Sequence, residues 1–131
     1  MSNTDRTLRW GSTILAIGAS GIMAAPIAIL SRRPDPTTTV GRHVWAGALA
    51  LLSLSILEIL IALYPLRKGE KWAFAAASVP FVGVGLPVLI MDAVYVDRES
   101  MLGALAPQIL GLGVGLIGLA LLARVIFAKH S

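Results

Sequence analysis

Four runs of about twenty apolar residues, joined by short polar links, take up almost the whole of this chain. They lie near Trp10–Leu30, Val44–Tyr64, Trp72–Val96 and Met101–Phe127. At 1.5 Å per residue, about 20 helical residues cross the roughly 30 Å of bilayer hydrocarbon. Backbone in lipid must satisfy its own hydrogen bonds, so the choice is between helices and a closed barrel. Four runs are too few, and each is too long, for barrel strands. The expected fold is therefore all-α: an integral membrane four-helix bundle in a single domain, residues 1–131.

Composition supports this reading and excludes others. The chain of 131 residues is 56% hydrophobic and 14% charged, with a mean hydropathy of +0.82. A soluble domain carries about 25% charged residues, and a disordered one needs low hydrophobicity. The absence of cysteine removes disulfides, thiolate nucleophiles and thiolate metal centres. Nor do two His and scattered carboxylates converge in sequence on a metal site, and no cofactor motif is present. The net charge of +4 is spread over short clusters beside the apolar runs, a placement suited to lipid headgroups. No cluster is long enough to track nucleic-acid phosphates.

The links define the topology. SRRPDPTTTVGRH holds two prolines, which stop the first helix, and Thr37–Thr39, which can cap the second. PLRKGEK is a basic turn containing Gly69, and DRES is a four-residue link. Links this short force neighbouring helices antiparallel. Arg6 and Arg9 before an apolar run and AAP suggest a secretory leader. The run is too long for a leader's apolar region, so it is read as a retained span. Seven Lys and Arg flank the spans on the side of the termini and the second link, against four on the other. The positive-inside rule then places both termini in the cytoplasm. Trp10, Trp45, Trp72, Tyr64 and Tyr95 fall near span ends, as interfacial anchors do.

Glu58 is the sharpest candidate for function. It sits in SILEILIAL, 13 residues past Trp45, hence about 20 Å below the outer boundary. A charged side chain at that depth costs about 2.5–3.5 kcal/mol on insertion scales, and such residues mark functional sites by default. Ser55 lies one turn earlier on the same helical face. Asp92 in VLIMDAVYV is about 6 Å below the outer boundary, and His43 beside Arg42 shares that side. A His43–Asp92 pair is one reading and an ordinary solvated His the other. Glu58 and Asp92 differ in depth by about 14 Å. An acid/base dyad needs less than about 10 Å, so they read as two separate sites.

Pro80 and Pro87, with Gly83 and Gly85 between them, should kink the third helix, either as plain kink packing or to make room for a ligand or water. Pro26 and Pro107 add milder bends, and Gln108 can hydrogen-bond to another helix. Gly111 and Gly115 form a GxxxG face. It serves either packing within the bundle or association with a second copy or a larger membrane complex. The candidate ligand-binding set is Glu58, Ser55, Pro80, Pro87 and Gln108; the candidate catalytic set is Glu58, Asp92 and His43.

In layout, GRHVWAGALAL opening the second span and LYPLRKGEKWAF leading to a third span that ends near Asp92 resemble the small four-helix membrane proteins with sterol-isomerase-like (EXPERA) domains. That resemblance implies helix-borne carboxylates and a His moving protons on a hydrocarbon-rich substrate, parts that Glu58, Asp92 and His43 would take. Small multidrug-resistance carriers are similar in size and also hold a membrane Glu, but in their first helix, whereas the deep Glu here is in the second. Vitamin K reductase-like proteins need a CxxC pair that this chain lacks. The leading expectation is a lipophilic small molecule bound within the bundle. The alternatives are an isomerase or cyclase of an isoprenoid, sterol or polyketide-like substrate, a proton-coupled exporter, and an accessory subunit.

Overall fold

The computed structural model describes residues 2–95 and 98–128, with the side chains at 92, 95 and 98–105 left aside. Helix α1 spans Asn3–Ser31, α2 Thr39–Leu63, α3 Lys71–Ser78, α4 Leu86–Tyr95 and α5 Arg98–Ala128. A short 3₁₀ turn, Leu66–Lys68, precedes α3, and a π-helical segment, Val79–Gly85, joins α3 to α4. Counted as membrane spans, α3, the π segment and α4 are one, so the expected four-helix bundle stands. All four spans are long and apolar enough to cross a membrane. The protein is an integral, multi-pass membrane protein.

Local chemistry sets the helix ends, and α1 and α2 start five residues or more before their apolar runs. Helix α1 begins seven residues before Trp10 because Ser2 and Asp5 form a capping box. The Ser2 hydroxyl accepts from the Asp5 N–H (3.2 Å), and the Asp5 carboxylate accepts from the Ser2 N–H (3.1 Å). Helix α2 begins at Thr39 because Thr38 accepts from the Gly41 N–H (3.0 Å). In the loop before it, the Asp35 carboxylate accepts from the Thr37 hydroxyl (2.7 Å) and N–H (2.9 Å). These two bonds, the hydroxyl's first, hold the Asp35 carboxyl below its ordinary range. Trp45, expected as an interfacial anchor, also donates its Nε1–H to the Pro34 carbonyl (2.8 Å), which ties this loop over α2. Gly69 closes the second link with φ of 74°, a conformation that costs any residue with a Cβ.

The third span differs in detail from a helix kinked at two prolines. The distortion gathers around Pro80 as π-helical turns, in which the Leu86 N–H reaches back five residues to the Phe81 carbonyl. Pro80 has no N–H to offer, and a wider turn re-pairs the backbone it disrupts. Pro87 is the second residue of α4 and is exposed on the outside of the bundle.

Helices α1 and α5 form the spine of the bundle. They run antiparallel and meet glycine to glycine: Gly18 lies against the backbone of Gly111 and Gly115, Gly21 against Gly111, and Gly118 against Leu15. Around this spine the core gathers Leu15, Ala19, Ala62, Ala77, Phe81 and Leu122. Near the other end Phe74 and Phe127 meet edge to face, with ring centroids 5.4 Å apart. Large apolar side chains such as Ile17, Leu57, Val82, Ile90, Leu110 and Ile117 are exposed on the outer surface. Glycine contacts at the α1–α5 crossing and large apolar side chains on the outside suit a lipid solvent, which does not drive apolar side chains inward.

Candidate functional site

Helix α2 is apolar on every face, so its orientation comes from its neighbours. It turns Gly41, Ala48, Ser55 and Ala62 inward, a seven-residue stripe of small side chains, and Glu58 lies on the same stripe. Glu58 is 2% exposed, and neither carboxyl oxygen has a hydrogen-bond partner among the described residues. Ser55 is buried one turn away, but its hydroxyl donates to the Leu51 carbonyl (3.0 Å) rather than to Glu58. The two side chains expected to share a face do so without pairing.

Glu58 opens into a cavity of about 210 Å³. Helix α1 contributes Ala19, Ile22, Ala25, Pro26 and Ile29, a 3–4 spacing that marks one helical face. Helix α2 contributes Leu51, Leu54, Ser55 and Glu58. The third span adds Pro80, Phe81, Val84, Gly85 and Val88, and α5 adds Gln108. Ala19, Pro26, Ser55, Glu58 and Phe81 are buried and form the floor; Ile29, Leu51, Leu54, Val84 and Val88 are half-exposed and form the rim. These rim residues are all apolar. Glu58 is the single ionisable side chain among the described residues of the wall, and Ser55 and Gln108 are the other polar ones.

Phe81 owes its position to the π turns and to Gly115. It is 1% exposed, and a Cβ on Gly115 would fall inside its ring. Sequence reasoning missed Phe81 and the whole α1 wall. The 19–22–26–29 spacing was the available signal, but it is indistinguishable from ordinary core packing.

Of the sequence-predicted ligand-binding residues, Glu58, Ser55, Pro80 and Gln108 line one cavity. Pro87 does not: it faces outward, because the extra residue in the π turns rotates α4 relative to α3. His43 is exposed, its Nδ1 bonded to the carbonyl of Thr39 (2.8 Å), so its ring is held against its own helix. The backbone of Asp92 belongs to α4, and its side chain lies outside the described ones. Gly111 and Gly115, expected either to pack the bundle or to recruit a partner, are covered within the chain by α1 and by Phe81. No protein family, characterised protein or solved structure matches the chain.

Proposed function

We propose that this protein binds a lipophilic small molecule inside its membrane bundle, with Glu58 as the polar anchor. One observation carries the reading: a buried carboxyl with no partner among the described residues forms part of the floor of an apolar cavity. A buried polar group without a partner costs about 1–3 kcal/mol. A bundle built for packing alone removes that cost by placing an apolar residue there. The cavity volume sets the scale of the guest. At about 210 Å³ it exceeds the ~150 Å³ that admits benzene. It falls short of the ~300 Å³ at which drug-sized pockets begin. The half-exposed rim supports entry from the hydrocarbon, where such a molecule concentrates.

The test is mass spectrometry of protein purified in mild detergent, with Glu58→Ala alongside. The expected result is a stoichiometric small molecule that the variant loses while keeping its helical circular dichroism. Recovery of bulk lipid alone from both proteins would overturn the reading.

A further inference from the structure

Resting on that reading, we infer that the molecule held against Glu58 is a small lipophilic amine, bound as its ammonium ion with the carboxylate of Glu58 as counter-charge.

The argument starts from which hydrogen-bonding groups the floor presents. Glu58 offers two carboxyl oxygens, neither engaged by a described residue. Ser55 has already given its hydroxyl proton to the Leu51 carbonyl, so toward the cavity it presents lone pairs only. Pro26, in the α1 wall, has no N–H to give to the carbonyl of Ile22, which lines the same wall. Glu58 and Ser55 thus both present acceptors among the lining residues, and the amide of Gln108, half-buried, is the one side-chain N–H donor among the described residues of the wall. An alcohol brings one donor to this set. An ammonium brings three donors and no acceptor.

Charge points the same way. An ionised carboxylate in an apolar site is offset only by a cation with good geometry. No Lys, Arg or His is among the described residues of the wall, so the described wall supplies no such cation itself. A carboxylate ligand would put like charges together, and a hydrocarbon would leave every acceptor unpaired. The rest of the cavity, made of Ile, Leu, Val, Pro and Phe81, asks for an apolar body. Scaling from benzene in ~150 Å³, the space holds about eight non-hydrogen atoms.

The probe set is cyclohexylmethylamine, cyclohexylmethanol and methylcyclohexane, which share one shape and differ in one group. Each is titrated calorimetrically into the detergent-solubilised protein, with empty micelles subtracted. The amine should bind about tenfold to hundredfold more tightly than the alcohol, the range expected of a charge-assisted hydrogen bond. Glu58→Gln, which keeps volume and polarity but removes the charge, should bring the two within about threefold. Ala25→Leu fills the cavity and leaves the carboxyl in place; it should weaken both, and it serves as the second variant if Glu58→Gln fails to fold. Equal or tighter binding of the alcohol would overturn the amine inference and leave the lipophilic-ligand reading standing. Binding of none of the three, or binding that Ala25→Leu does not weaken, would overturn both.

Discussion

Replacing Gly18 by Ala should force α1 and α5 apart. A Cβ built on Gly18 lies 2.5 Å from the Gly115 nitrogen, 2.6 Å from its Cα and 2.7 Å from the Gly111 carbonyl oxygen. Carbon atoms rest at about 3.5–4.0 Å, so the helices must separate by about 1 Å. All three neighbours are backbone, and no rotamer change can make room. A gap of that size forfeits up to about half of each dispersion contact along the crossing. Overpacking of this kind costs about 1–3 kcal/mol, and the rigid backbone places Gly18 at the upper end. Alanine returns up to about 1 kcal/mol through its helix propensity. Gly113 is the internal control: it is on α5 between Gly111 and Gly115, and a Cβ there meets nothing within 4 Å. Gly113→Ala should take the propensity gain alone. Unfolding both variants in mixed micelles with increasing SDS, followed by far-ultraviolet circular dichroism, should show Gly18→Ala about 2–3 kcal/mol less stable than Gly113→Ala. Equal stability would refute the glycine-to-glycine crossing, and with it the placement of the α1 wall of the cavity.

Two other outcomes follow from particular side chains. Glu58→Leu should raise stability in the same assay by about 1–3 kcal/mol, because it replaces a buried carboxyl that has no partner among the described residues by an apolar group; a loss of stability would mean that Glu58 has a partner in the folded protein. At Asp35, the bonds from Thr37 lower the carboxyl from its ordinary value of 3.8, so they persist above 3.8 and break as the pH falls through the still lower folded value. The Thr37 amide resonance should hold steady from neutral pH down to that region, and movement with a midpoint above 3.8 would refute the turn.

Much of the fold was legible in the chain itself. Bilayer thickness turns an apolar run of about twenty residues into a helix with no competing solution. Thr37–Thr39 announced the cap of α2, and Gly69 announced a turn, because each rests on neighbours in sequence. The early start of α1 was hidden, since its cap lies in a polar segment that an apolar count passes over. In the candidate site, Glu58 stood out as a lone acid in a membrane span, and Ser55, Pro80 and Gln108 do line its cavity. Pro87 fell on the wrong side because a π turn adds residues to the helical count and alters every facing beyond it.

The sequence by itself determined that this protein is a helical membrane bundle with an acid deep in its second span. Length, hydropathy and the need to pair backbone groups in lipid require nothing else. Tertiary structure alone decided which way that acid points, that Phe81 and the α1 face complete a cavity around it, and that Gly111 and Gly115 are used up against Gly18, Gly21 and Phe81. The reason is physical. A helix apolar on all sides carries no polar face to orient it in lipid, so its rotation is set by the fit of small residues against neighbouring helices. That fit depends on residues distant in sequence.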